Sequence, residues 1–223
     1  MKKRLPFILL FLLLFLAACQ KEEYEVITEQ DQNSISIDME AYNLIYRAAM
    51  YDGSADDQID NNPCFSLLFP YTITFQGSEI NISSETERQN FLESLPANAN
   101  PQDIVLDFPV TVINPGHQRI TVRNRQQFAG LQQACRNMTN ERGTPITCVN
   151  FSFPLRINSY NSVSQQANSA VLNSQEDLFV YFDNLTASSV VSFEFPLEIS
   201  VNNILTPVNN GAALVSLIRQ CEE

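Results

Sequence analysis

Few residues in this chain have side chains suited to chemistry. His117 is the only histidine, which excludes a His-rich metal site and leaves any His-based triad depending on one residue. It closes the run Asn114-Pro115-Gly116-His117, which reads as a solvated turn rather than the seat of a base. No Gly-x-Ser-x-Gly elbow, His-Glu-x-x-His helix, phosphate-binding glycine loop or Cys-x-x-Cys pair occurs. Carboxylates are plentiful, and two placed Asp or Glu residues suffice for glycoside hydrolysis. Glu194 and Glu198 read as sharing one strand face, where four residues at strand rise separate them by about 13 Å, too far for either hydrolytic geometry. Asp52, Asp56, Asp57 and Asp60 crowd one loop, yet a calcium loop needs a glycine at its sixth position and a closing Glu at its twelfth. Here Gly53 is misplaced and the Glu is missing, so these carboxylates read as turn and cap residues. The expectation is a chain without catalytic residues, metal or cofactor.

The amino terminus carries an address. Lys2, Lys3 and Arg4 precede an apolar run from Leu5 to Leu16 and the small-residue ending Ala17-Ala18-Cys19, the pattern of a secretory signal over residues 1–18. The run is shorter than the roughly 20 residues a membrane helix requires. Leu16-Ala17-Ala18-Cys19 resembles the lipobox of bacterial lipoproteins, which implies acylation of Cys19 and a membrane-anchored mature chain. The next residues, Gln20, Lys21, Glu22 and Glu23, resemble the export tag of Bacteroidota surface lipoproteins. The resemblance implies an outer-membrane protein exposed at the cell surface, with a periplasm-facing orientation as the alternative. Loss of residues 1–18 removes three of 13 Lys and Arg and none of 25 Asp and Glu, taking the formal charge from -12 to -15. Such acidity argues against nucleic acid as a partner and suits an exposed, soluble surface.

With Cys19 assigned to lipid, Cys64, Cys135, Cys148 and Cys221 remain, in an exported chain where disulfides persist. Four cysteines allow three pairings. An internal repeat selects one. Phe69-Pro70-Tyr71-Thr72-Ile73, Phe108-Pro109-Val110-Thr111-Val112, Phe153-Pro154-Leu155-Arg156-Ile157 and Phe195-Pro196-Leu197-Glu198-Ile199 share a Phe-Pro-x-x-Ile/Val core at spacings of 39, 45 and 42 residues. Cys64 to Cys135 spans 71 residues and Cys148 to Cys221 spans 73, each beginning beside an apolar strand and ending a helix-like segment. The reading is Cys64 with Cys135 and Cys148 with Cys221, each pair closing two repeats. Cys64 and Cys148 fall on the polar parity of their strands, which places them at a rim.

The elements that position these residues follow from periodicity. Residues 19–37 read as an acidic flexible tether, and 38–63 as a short helix, capped by Asp38 and carrying Leu44, Ile45, Ala48 and Ala49, followed by the acidic loop. Phe65, Leu67, Phe69, Tyr71, Ile73 and Phe75 alternate with polar positions as one long half-buried strand, and each later Phe-Pro run reads the same way. A turn, a return strand and a helix follow each run, with Ser84 and Glu87 forming a capping box and Asn124 a cap. The fold class is α+β: four tandem ββα units in two disulfide-closed pairs, residues 64–135 and 148–223, joined by a linker at 136–147, with antiparallel sheets and helices on one face. The repeated proline reads as a bulge or an unpaired donor position on the non-core face.

The lipobox, the acidic tether, Tyr51-Asp52-Gly53-Ser54 before Cys64, and four Phe-Pro units closed by two Cys pairs together resemble a Flavobacteria-type family of Bacteroidota surface lipoproteins. That resemblance spans nearly the whole mature chain and implies location, while supplying no activity. The expected function is a lipid-anchored, non-catalytic binding or structural module with a glycan or envelope protein as partner. A carbohydrate-active or other envelope enzyme using carboxylates is the alternative. The polar sheet face expected to meet a ligand comprises Thr72, Thr74, Asp107, Thr111, Asn150, Ser152, Arg156, Asn158, Ser192, Glu194, Glu198 and Ser200.

Overall fold

The computed structural model describes residues 33–96, 99–100 and 103–222. The expected signal segment, the expected lipidation site Cys19 and the expected export tag Gln20 to Glu23 lie outside these residues. The described chain opens with β1 (Ile35–Ser36), α1 (Glu40–Ala48), a 3-10 turn (Ser54–Asp56) and α2 (Asp57–Asp60). A first lobe follows with β2 (Ser66–Leu68), β3 (Tyr71–Phe75), β4 (Ser78–Ile82), α3 (Glu85–Ser94), β5 (Ile104–Asp107), β6 (Val110–Ile113), β7 (Arg119–Val122) and α4 (Arg125–Arg142). The second lobe repeats it with β8 (Val149–Phe151), β9 (Leu155–Asn161), β10 (Gln166–Leu172), α5 (Gln175–Asp183), β11 (Ser189–Phe193), β12 (Leu197–Val201), β13 (Ile204–Val208) and α6 (Gly211–Arg219). The fold is α+β with antiparallel sheets, and the disulfides join Cys64 to Cys135 and Cys148 to Cys221, with Cα atoms 6.0 and 5.9 Å apart.

Each long strand expected from the alternation is two strands. Proline has no N–H to give a ladder, so pairing stops at every Phe-Pro and the chain passes from one sheet to another. All four Phe-Pro bonds are cis. In the first lobe the lead strand of one unit pairs with the hairpin of the other: β2 with β6 (Leu68 opposite Thr111) and β5 with β3 (Asp107 opposite Thr72). The second lobe does the same with β8 against β12 and β11 against β9. The two units of a lobe therefore exchange strands reciprocally, and a lone unit would lack one strand of its sheet. The expected bulge is replaced by a crossover, with all four prolines exposed.

Each unit's helix starts at a residue that suits the job. Ser84, Asn124, Ser174 and Asn210 are extended and accept hydrogen bonds from the N–H groups of Glu87, Gln127, Asp177 and Ala213. The α4 helix runs past Cys135 to Arg142, because no Gly or Pro occurs between Cys135 and Gly143, which stands at φ 90°. Most of the expected 136–147 linker is thus helix. Two separate apolar cores result, one beneath each helical layer. Ile73, Val112 and Phe91 belong to the first, and Ile157, Ile199, Phe182 and Leu214 to the second.

Residues 33–63 close both lobes, whereas the sequence assigned them to a tether and a separate segment. Buried Ile35 pairs with Val191 as an added edge strand, so the fold begins before residue 38. The α1 helix sinks Leu44, Ile45 and Ala48 into the second core. It starts after Met39 without a side-chain cap, since Asp38 accepts from the Ser36 hydroxyl instead. Ile59 of α2 enters the first core. A Cβ on Gly53 would lie 2.4 Å from the backbone at Cys64 and Phe65, so only glycine permits this close approach.

Candidate functional site

Each lobe has an open cleft beside its two crossovers, and the two clefts are lined differently. In the second lobe it measures about 420 Å³ and is walled by Phe153-Pro154 and Phe195-Pro196. Ser152, Arg156, Glu194 and Glu198 supply its polar groups. The Glu194 N–H donates to the Arg156 carbonyl and the Ser152 N–H to the Glu198 carbonyl, which ties the crossovers together. Arg156 Nε stands 4.0 Å from Glu194 Oε2, with both side chains mostly in solvent, a geometry of little energetic weight. In the first lobe the counterpart measures about 440 Å³ and carries Thr72, Thr74, Glu79, Asn81 and Asp107 beside Phe108 and the two prolines. The Thr74 hydroxyl donates to Asp107 Oδ2 at 2.9 Å.

Seven of the twelve polar residues read from the sequence are brought into these two clefts: Thr72, Thr74, Asp107, Ser152, Arg156, Glu194 and Glu198. The rest flank them. Asn158 stands between Ser192 and Ser169 on neighbouring strands, Asn150 faces Ser200, and Thr111 faces Thr121 and Leu68. Glu79 and Asn81 escaped the sequence reading because they belong to a return strand, and only the register opposite Thr74 and Thr72 brings them in. Glu194 and Glu198 are not the ends of one extended strand. They leave β11 and enter β12 on either side of a crossover and line one cleft, so the spacing argument against a working pair does not apply.

Two other features differ from expectation. His117 is half-buried at positive φ, with Nε2 2.8 Å from the Ala49 carbonyl and its ring edge-on to Tyr51 and beside Phe179. The turn it occupies docks on residues 49–51, where the Tyr51 N–H donates to the Pro115 carbonyl. His117 thus ties the first lobe to the second. The acidic loop does place Asp52 and Asp60 in turn roles, accepting from the N–H groups of Ser54 and Asn62. Yet Asp56 and Asp60 are 2 % and 5 % exposed, and Asp56 Oδ1 and Asp60 Oδ2 are buried without a hydrogen-bond partner. Desolvation pushes the Asp60 carboxyl up to about 9, with the Asp56 charge adding to it. Asp56 is pushed up to about 6 by desolvation, opposed by the Leu67 N–H that it accepts.

Among the described residues no group of three or more His, Cys, Asp or Glu side chains is placed to hold a metal ion, and no helix is long and apolar enough to cross a membrane. A third cavity of about 430 Å³ lies against the Cys64–Cys135 disulfide, between the acidic loop, the second half of α4 and residues 144–147. No protein-family model, curated protein or solved structure matches the chain. Hydroxyls, carboxylates and one guanidinium around an open, proline-walled cleft are groups that hydrogen-bond a polar ligand at its surface.

Proposed function

We propose that this chain is a lipid-anchored surface lipoprotein of the Bacteroidota type and a non-catalytic binding module, with its two crossover clefts as ligand sites. The anchor rests on Leu16 to Cys19 and the surface location on Gln20 to Glu23. The observation that carries the binding role is recurrence: polar groups gather beside the paired crossovers in both lobes, Ser152, Arg156, Glu194 and Glu198 in the second and Thr72, Thr74, Glu79, Asn81 and Asp107 in the first. Hydroxyl-rich glycans and polar segments of envelope proteins suit such groups. Arrays of glycans and envelope proteins probed with the wild-type chain and with a Glu194→Lys, Glu198→Lys, Asp107→Lys variant test the role. Loss of a captured ligand in the variant is expected, and binding that survives all three substitutions overturns the cleft assignment. Cys19→Ala should move the chain out of the membrane fraction. Protease added to intact cells should remove the wild-type protein, and full protection until lysis would rule out surface exposure.

One observation favours a second reading. Glu194 and Glu198 share a cleft, so hydrolysis of a glycan by a carboxylate pair has a place to occur. Turnover of a polysaccharide that disappears in both Glu194→Gln and Glu198→Gln would establish it over the binding role.

A further inference from the structure

Every sheet edge among the described residues is short or blocked, with one exception. The sheets end on β1, β2, β4, β5, β7, β8, β10 and β13. Of these, β1, β2 and β8 have two or three residues, and β5 has four and ends in Asp107. The return strands of three units each carry a residue that discourages pairing: Glu79 in β4, Arg119 in β7 and Pro207 in β13. Their counterpart in the third unit, β10, has none. It is seven residues long against five, four and five, and its sequence Gln-Ala-Asn-Ser-Ala-Val-Leu contains no charge and no proline. Gln166 through Ser169 are exposed. No Asp, Glu, Lys or Arg occurs from Ile157 to Gln175, in a chain with 25 acidic residues.

We propose that β10 is a self-association edge, pairing antiparallel with β10 of a second copy about a twofold axis at Ser169. The occupant follows from the match of this strand to itself. With Ser169 opposite Ser169, Ala167 meets Val171 twice on the outer face, and Val171 is 48 % exposed in the single chain. On the other face Asn168 meets Ala170 and Gln166 meets Leu172. No like charges are opposed, because the strand carries none. The far edge of the same sheet already takes up a strand, β1 on β11, so pairing at β10 would join two four-stranded sheets into one of eight. This inference is independent of the clefts.

Sedimentation of the full chain in nonionic detergent should show a monomer–dimer equilibrium over a concentration series reaching about 1 mM, the weak limit of a specific contact. Ser169→Lys sets two ammonium groups opposite each other and should weaken the dimer several-fold. Ala167→Lys combined with Val171→Glu sets Lys against Glu twice and should hold the affinity near wild type. Ser169→Cys should give a reducible dimer on oxidation, while Thr206→Cys on the β13 edge should not. Circular dichroism of each variant confirms that the fold is kept, since all substituted side chains are at least partly in solvent. A chain that is monomeric throughout, or a dimer indifferent to Ser169→Lys, overturns the proposal.

Discussion

The two lobes share strand exchange, helix caps and a disulfide of nearly equal span, yet they are closed by opposite means. The second lobe is covered by β1 and the apolar face of α1, which bury Ile35, Leu44 and Ile45. The first is covered by a loop whose one buried apolar plug, Ile59, sits among Asp56, Asp57 and Asp60. Apolar closure gains stability with area at any pH, while acidic closure makes stability depend on protons. The repeat thus fixes the scaffold, and the closing segment gives each lobe its own sensitivity.

The largest test of that contrast truncates the plugs. Ile45→Ala and Ile59→Ala should each cost about 2–5 kcal/mol, as deletions of well-buried branched side chains do. Hydrogen exchange should show lost protection in the second lobe for the first variant and in the first lobe for the second. Equal loss throughout in both variants would mean that the lobes unfold as one unit and the comparison has no thermodynamic content.

A smaller pair compares glycines at the closing segment and at the turn between lobes. Gly53→Ala places a Cβ 2.4 Å from backbone atoms, which only main-chain movement relieves, and should cost about 1–3 kcal/mol. Gly116→Ala meets the Phe179 ring at 3.4 Å, a contact that a small shift accommodates, and should cost under about 1 kcal/mol. Thermal melts of the two variants rank them directly, and a costlier Gly116→Ala would contradict the assignment of Gly53 to a close approach.

Much of the scaffold was legible because its signals are local. Ser84 and Asn124 cap the helices that they were expected to cap, and the near-equal Cys spans chose the observed disulfides. The crossovers were not legible, since Leu67, Phe69, Tyr71 and Ile73 keep period two straight through Phe69-Pro70 while pairing partners change from β6 to β5. Partner choice is a non-local property, and no alternation within one segment encodes it. The clefts were legible as a polar face and illegible as clefts for the same reason. Burial of Asp56 and Asp60 ran against composition, because carboxylates at turn spacing read as solvated.

That burial gives a pH test of the closure. Asp60 and Asp56 have folded values near 9 and 6 against an ordinary 3.8, so the folded chain holds protons that the unfolded chain releases. Their contribution to stability is complete below about pH 4 and declines as pH rises through 6 and then 9. Each group changes the slope by at most about 1.4 kcal/mol per pH unit. Urea titrations between pH 5 and 10 should show the first lobe weakening while the second holds. Asp60→Asn keeps an oxygen for the Asn62 N–H and removes the ionisation, so it should flatten the decline above pH 6. A first lobe equally stable at pH 5 and pH 10 would mean that these carboxyls are solvated in the folded chain.

The smallest effects distinguish units within a lobe. In the first three units the side chain three residues after the cap reaches back: Glu87 accepts from the Ser83 N–H, Gln127 from Arg123 and Asp177 from Asn173. The fourth unit has Ala213 at that position and makes no reciprocal bond of its own; the Ala213 N–H donates to Asn210 and the Gly211 N–H to Asn33 Oδ1 from outside the unit. Ser174→Ala and Asn210→Ala should therefore cost about 1 kcal/mol each, since both remove a forward bond. Asp177→Ala should cost a further few tenths of a kcal/mol when added to Ser174→Ala, because it frees the Asn173 N–H as well. Denaturation midpoints of the two single variants and the double variant measure this. If Asp177→Ala costs nothing beside Ser174→Ala, the reciprocal bond contributes no stability, and the fourth helix is capped as well as the other three.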